Sequence, residues 1–168
     1  PDWLPRKRIW SEGSERDIDY FICDNEEALV YLANLGTIPL HVWASRVDSL
    51  EQPDWCVLDL DPKGAAFTDV VKIALAIRAL CDEIGLPSYP KTSGSTGLHV
   101  LVPLGRQLTF EQCRHFAEFL ATVIVKRLPA IATIERAIPK RKGRVYVDFL
   151  QNGHGKLLVA PFSVRPLP

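Results

Sequence analysis

The sequence predicts an α+β domain in which short strands and two longer helices share one core. Three observations point there. Short runs of β-prone residues recur along the chain, two long segments place apolar residues near a 3.6-residue period, and glycine-containing loops join neighbouring runs. With 168 residues, 47% of them hydrophobic, the chain can bury one good core and reads as a single domain.

Taken in order, residues 1 to 14 mix Trp3, Trp10, prolines and the triplet Arg6-Lys7-Arg8 without a period, and read as an irregular segment or a nucleic-acid-contacting arm. Ile18 to Cys23 forms a short strand. Asp24 or Asn25 then caps a helix to about Leu35, where Asp24 and Glu27 resemble a capping box and Gly36 supplies the stop. Leu40 to Ala44 is a strand with His41 and Trp43 on one face. Trp55 to Asp61 is a strand of apolar, β-prone residues that ends in two aspartates.

Thr68 begins a long helix with an apolar stripe of Val70, Val71, Ala74, Ile77 and Leu80, ended by Gly85. Residues 88 to 92 lead through the loop Ser93-Gly94-Ser95-Thr96-Gly97 to a strand over Val100 to Pro103. Thr109 and Gln112 make a second capping box for a helix reaching Leu128, its buried face formed by Phe110, Phe116, Phe119, Leu120 and Val123. Val145 to Leu150 is a strand, Asn152-Gly153 opens a tight hairpin turn or a longer loop, and Lys156 to Pro161 returns as its partner.

Formal net charge is zero, so any nucleic-acid binding must come from local patches. The four cysteines are widely spaced, without a Cys-x-x-Cys, which argues against a zinc site and a disulfide framework. No signal peptide and no membrane-length apolar run is present, and a soluble cytoplasmic protein is expected. The chain starts at Pro1, lacks Met, and ends at Arg165-Pro166-Leu167-Pro168, which suggests a piece of something longer.

The chemistry centres on Asp59 and Asp61. Side chains alternate along a strand, so both carboxylates leave one face, roughly 6.6 Å apart at the usual rise. Like charges at that spacing raise each other's pKa unless a cation lies between them. Oxygen-only ligands suit Mg²⁺ or Mn²⁺, whereas an ordinary strand end entering the Pro62-Lys63-Gly64 turn is the plain alternative. Asp148 lies in an apolar strand, where a carboxylate is costly to bury without a partner, and is the natural third member.

The loop over residues 93–97 offers backbone N–H groups and hydroxyls to a polyphosphate, or is an ordinary hairpin; it lacks the Walker A spacing. Arg136, Lys140, Arg141, Lys142 and Arg144 form either a solvated charged loop or a contact for a phosphate backbone. His41 by itself reads as a hydrogen-bonded core histidine.

Four separated segments now agree: Leu58-Asp59-Leu60-Asp61-Pro62, Lys91-Thr92-Ser93-Gly94-Ser95-Thr96-Gly97-Leu98-His99-Val100, Val145-Tyr146-Val147-Asp148-Phe149-Leu150-Gln151-Asn152 and Ala160-Pro161-Phe162-Ser163-Val164-Arg165-Pro166. Together, in order and along nearly the whole chain, they resemble the primase-like polymerase domain of bacterial ATP-dependent DNA ligase D, in the archaeo-eukaryotic primase superfamily. The resemblance implies an α+β primase-polymerase fold with a mixed, mostly antiparallel central sheet, an RNA-recognition-motif-like palm and flanking helices, truncated here at both ends. It also implies a two-metal nucleotidyl transferase that adds nucleotides, preferably ribonucleotides, to DNA 3′ ends in non-homologous end joining.

By the same resemblance Asp59, Asp61 and Asp148 ligate two Mn²⁺ or Mg²⁺ ions. Ser93, Gly94, His99 and Arg165 hold the triphosphate of an NTP or dNTP, His41 lies at the incoming sugar and Gln151 is nucleotide-proximal. Lys140, Arg141, Lys142 and Arg144 are the candidate DNA contacts. Primer-template DNA ends, a Ku-type end-binding protein and an attached ligase domain are implied as partners, in a nucleoid-associated, non-membrane setting.

Two departures stand out. Thr96 occupies a position where relatives often carry lysine, and the family's N-terminal part, which helps bind the DNA 5′-phosphate, precedes this stretch, so impaired DNA-end binding is expected of the piece alone. Two other classes compete: a nucleotide- or DNA-end-binding fragment without turnover, and a haloacid-dehalogenase-like phosphatase. The phosphatase would need Thr or Val where Lys63 stands and a parallel, doubly wound sheet.

Overall fold

The computed structural model describes residues 1–11 and 13–165. Pro166, the last residue of the expected C-terminal motif, lies outside them, as do Leu167 and Pro168.

The fold is built around β4 (Trp55–Asp61), whose bounds coincide with the run read from sequence. It lies third in a five-stranded sheet of order β5-β6-β4-β8-β7, with β5 at Tyr89–Thr92, β6 at Leu98–Pro103, β7 at Ala132–Thr133 and β8 at Val145–Asp148. All its neighbouring pairs are antiparallel except the short edge pair β7–β8. With α2 (Phe67–Glu83) after β4 and α3 (Phe110–Arg127) after β6, the central strands follow the βαββαβ arrangement of a split βαβ fold. That pairing rules out the parallel, doubly wound sheet of a haloacid-dehalogenase-like phosphatase.

Alternation along β4 divides the sheet into two faces. Cys56, Leu58 and Leu60 are fully buried against the helices, beside Val100 and Val102 of β6 and Val145 and Val147 of β8. Asp59 and Asp61 face the other way. The α2 stripe is Val70, Ile73, Ile77, Leu80 and Cys81, while Val71 is exposed. The capping box of α3 forms as expected. Its buried face, however, is Phe110, Cys113, Ala117, Leu120, Ala121 and Ile124, and Phe119 is 59% exposed. Small residues at 113, 117 and 121 let the helix lie close on the sheet, with Phe110 buried, Phe116 and Val123 packed partly buried against the core, and Phe119 turned outward.

Three local expectations change. The opening segment is not irregular: β1 (Arg6–Ser11) and β2 (Arg16–Phe21) form an antiparallel hairpin, with Ile9 opposite Ile18 and an exposed Arg8–Asp19 pair at 2.9 Å. Asn25, rather than Asp24, caps α1 (Glu26–Asn34), its side chain accepting from the Ala28 N–H at 2.8 Å. The strand after Asn152, β9 (Leu157–Val159), pairs with β3 (His41–Trp43) instead of β8. Asn152 explains the change. It is buried, accepts from the Val57 N–H at 2.7 Å and donates to the carbonyls of Val57 and Phe149 at 2.7 and 2.8 Å. Its side-chain amide thus takes the place of the next strand residue beside β4, and the chain leaves the sheet.

Candidate active site

Strand register assembles the site. Asp59 stands opposite His99 of β6 on one side and Asp148 of β8 on the other, and His99 in turn stands opposite Lys91 of β5. Directly paired residues share a face, so Lys91, His99, Asp59 and Asp148 form one row across four strands. Asp61 lies two residues further along the same face, opposite Tyr146.

Each carboxylate has its own surroundings. Asp59 is pushed up to about 7 by burial, then by the nearby charges of Asp148 and Asp61, against a smaller opposing effect from Arg165 and Lys91. Asp61 Oδ2 accepts from Arg141 Nη1 at 2.8 Å. Asp148 Oδ1 accepts from the Leu150 N–H at 2.7 Å and from the Tyr146 hydroxyl at 3.1 Å. Burial and the adjacent Asp148 raise that phenol to about 12. Among the described residues, no three His, Cys, Asp or Glu side chains are gathered as a ready metal cage. Arg141 turns Asp61 aside, and Tyr146 and the Leu150 amide hold Asp148.

The donor set nevertheless fits a hard divalent cation. It is all carboxylate oxygen, on one face, with Asp59 buried beside two like charges that Arg165 and Lys91 offset only in part and that a cation would relieve.

Beside the acids the loop between β5 and β6 folds on itself. The Ser93 N–H donates to the Gly97 carbonyl at 3.0 Å, and Ser93 Oγ accepts from the N–H groups of Ser95 and Gly97 at 3.2 and 3.1 Å. Two acceptor roles leave the hydroxyl hydrogen of Ser93 for another partner. Gly97 is required by close approach, since a Cβ there would lie 2.1 Å from the Leu60 carbonyl oxygen. Gly94, at φ +73°, lies under the Arg165 side chain, whose Nη1 donates to the Ser93 carbonyl at 3.3 Å. A cleft of about 170 Å³ results, with Asp59, Asp61, Ser93, Ser95, His99 and Arg165 among its walls.

The LigD primase-polymerase domain family matches residues 1–168, the full length of the chain. The chain belongs to this family. It is 32% identical over 168 residues to the bifunctional non-homologous end joining protein LigD of Bacillus subtilis, covering 98% of this chain and 27% of that protein. It is 36% identical over 140 residues to the multifunctional non-homologous end joining protein LigD of Pseudomonas aeruginosa, covering 83% and 17% respectively. The solved polymerase domain of Mycobacterium tuberculosis ligase D in complex with DNA superposes with a TM-score of 0.88 at 30% identity, covering 98% of this chain and 60% of that one. The chain thus spans about a quarter or less of the two LigD proteins it matches.

Not every residue singled out in this LigD-family chain meets in the cleft. His41, exposed on β3, lines a separate groove of about 970 Å³ together with Tyr20 and Trp43. Gln151 is half-buried in the turn after β8, outside the cleft walls. Of the basic run, Lys140 and Lys142 are exposed and Arg144 Nε donates to the Arg141 carbonyl at 2.9 Å. Arg141 departs from a solvated loop. Its residue is only 7% exposed, it caps the Tyr146 ring at 4.5 Å, and it binds Asp61 from the end of the short helix α4 (Ile138–Arg141).

Nothing local marks Arg141, Tyr146 or Lys91 for these positions. Lys91 did carry a signal in hindsight of the hairpin, because it and His99 are equally distant from Ser95 and so pair across the loop.

Proposed function

We propose that this chain is the catalytic core of a metal-dependent nucleotidyl transferase that adds nucleotides, preferentially ribonucleotides, to DNA 3′ ends during non-homologous end joining. The observation that carries it is the row in which Asp148 and His99 flank Asp59, with Asp59 and His99 themselves lining the cleft beside Ser93, Ser95 and Arg165 and Asp148 next to them on the sheet.

In this reading Asp59, Asp61 and Asp148 hold two divalent ions, Mn²⁺ or Mg²⁺, with Asp61 released from Arg141 to do so. Bound ions would supply charge compensation at the attacking 3′-oxygen and at the leaving phosphates. The protein supplies the geometry. Arg165 brings a permanent positive charge to the triphosphate, the Ser93 hydroxyl and the His99 ring add neutral donors, and Gly94 and Gly97 let the backbone approach. Burial, followed by Lys91 and Arg165, holds His99 down at about 4, so the ring contributes an N–H and no charge. No side-chain nucleophile is needed, because phosphoryl transfer is governed by positioning and electrostatics.

His41 and Gln151 would contact the sugar and nucleotide, and Lys140, Arg141, Lys142 and Arg144 the DNA, with Arg141 reaching it only after leaving Asp61. Exposed Lys140 and Lys142 are the better placed, and replacing either with Ala should lower the salt dependence of DNA binding by about one counterion. A Ku-type protein and a ligase domain would complete the repair machinery.

Primer extension on a 3′-overhang with Mn²⁺ and a ribonucleotide, run beside a nucleotide-binding titration, tests the proposal. Extension is expected, with loss to background in Asp59→Ala and Asp61→Ala variants that keep their fold. Binding without extension would favour a DNA-end- or nucleotide-binding fragment, and release of phosphate from a generic phosphoester without DNA would favour a phosphatase.

A further inference from the structure

We propose that Lys91 is a positioning residue that dictates which nitrogen of His99 carries the ring proton, so that an N–H is kept facing the cleft for a phosphate oxygen of a nucleoside triphosphate. The inference deepens the nucleotidyl-transfer reading and rests on it for the identity of the ligand, but the state of the ring can be measured without any ligand.

Lys91 Nζ lies 3.0 Å from His99 Nδ1 and 3.0 Å from the Thr92 carbonyl oxygen. An ammonium group has three donors and no acceptor. Nδ1 must therefore accept, and in the neutral imidazole the proton resides on Nε2. Nε2 lies 3.7 Å from Asp59 Oδ1, too far for a hydrogen bond, and His99 is among the residues walling the cleft. The residue as a whole is 4% exposed, and Nε2 is not among the buried side-chain atoms left without a partner.

The pairing is built into the backbone. Lys91 and His99 are directly opposed residues of β5 and β6, joined by the loop that Ser93 closes on itself. Around the ring stand Lys91 from β5, Asp59 from β4 and the positive charge of Arg165. Only Lys91 contacts Nδ1 among the described hydrogen bonds of this ring. Without it, Nδ1 has no donor opposite it, and Asp59 Oδ1 at 3.7 Å from Nε2 is too distant to hold the proton there by a hydrogen bond, so the proton is no longer confined to one nitrogen.

The test is the tautomer of His99 in the 168-residue chain labelled with ¹⁵N-histidine, read from two-bond ¹H–¹⁵N correlations, with assignment by a His99→Gln variant. Wild type should show the Nε2–H form. Lys91→Met, which keeps the length of the side chain but removes its donors, should give a mixture of the two tautomers. Lys91→Arg, again a donor without an acceptor, should restore the wild-type pattern and exclude a mere packing effect.

In parallel, the Kd for a non-hydrolysable ribonucleoside triphosphate with Mg²⁺ should rise about tenfold in Lys91→Met, the effect of one charge-assisted hydrogen bond. An unchanged Nε2–H pattern in a folded Lys91→Met chain would overturn the proposal, as would a changed tautomer with unaltered triphosphate affinity. If wild type binds no triphosphate although the tautomer responds to Lys91, the nucleotide reading of the cleft fails while control of the ring by Lys91 holds.

Discussion

The two faces of β4 are made by alternate residues of one strand, yet they obey opposite rules. Cys56, Leu58 and Leu60 are fully buried against α2 and α3 and contribute to stability through area removed from water and close packing. Asp59, the residue between the two leucines, is raised to about 7 by burial and then by the nearby charges of Asp148 and Asp61. One face stabilises the fold and the other stores repulsion that a bound cation would relieve. Substitutions one residue apart should therefore move stability in opposite directions.

The largest effect is expected on the packed face. Leu58→Ala removes a side chain from the centre of the core and should lower the unfolding free energy by about 2–5 kcal/mol in urea denaturation. Next comes the point where the faces are tied together. Asn152→Ala strands the Val57 N–H and two carbonyls at the edge of β4 and should cost about 3 kcal/mol by the same assay.

On the acidic face the sign reverses. With a chelator present, Asp59→Asn should raise stability at pH 8 by an amount on the order of 2 kcal/mol while removing activity. The sign follows from proton binding. A carboxyl raised to about 7 from an ordinary 3.8 binds its proton more readily folded than unfolded, so its contribution to stability falls as pH climbs from 4 to 7. His99, lowered to about 4 from 6.5, acts oppositely, and its contribution falls as pH drops from 6.5 to 4. The two slopes oppose each other in wild type over their shared range. Asp59→Asn removes one of them, and the variant should weaken more steeply than wild type on acidification, as thermal melts between pH 4 and 8 would show.

The smallest stability change should come from Ser93→Ala. It loses two hydrogen bonds within a short loop, about 1 kcal/mol, although it also removes the hydroxyl offered to the triphosphate.

The same contrast explains what could be read from the sequence. The bounds of β4, the Thr109–Gln112 capping box and the shared face of Asp59 and Asp61 depend on residues within a few positions of one another, where strand alternation and helix capping operate. The pairing of β9 with β3, the Asn152 bridge to Val57 95 residues away, and the Arg141 contact with Asp61 80 residues away depend on the closed sheet. Asn152-Gly153 carries the composition of a tight turn, and only the neighbouring strand makes its amide more valuable inside. On α3 the expected face holds at Phe110, Phe116, Leu120 and Val123 and fails at Phe119, because apolar periodicity favours large side chains whereas the sheet accepted Cys113, Ala117 and Ala121, which allow close approach. Family-like motifs reached the acids and the loop. They did not reveal that Asp61 is held by Arg141, or that Lys91 stands behind His99.

The account rests on Asp59, Asp61 and Asp148 forming a seat for divalent ions on the repulsive face of β4. Thermal unfolding of the chelator-treated chain with and without Mn²⁺ addresses it most directly, because a ligand that binds only the folded state raises the melting temperature. Wild type should gain stability as Mn²⁺ is added, and Asp59→Asn and Asp148→Asn should lose that gain while remaining folded. A wild-type melting curve indifferent to Mn²⁺, or an equal gain in both variants, would contradict the assignment of these three side chains as the metal seat.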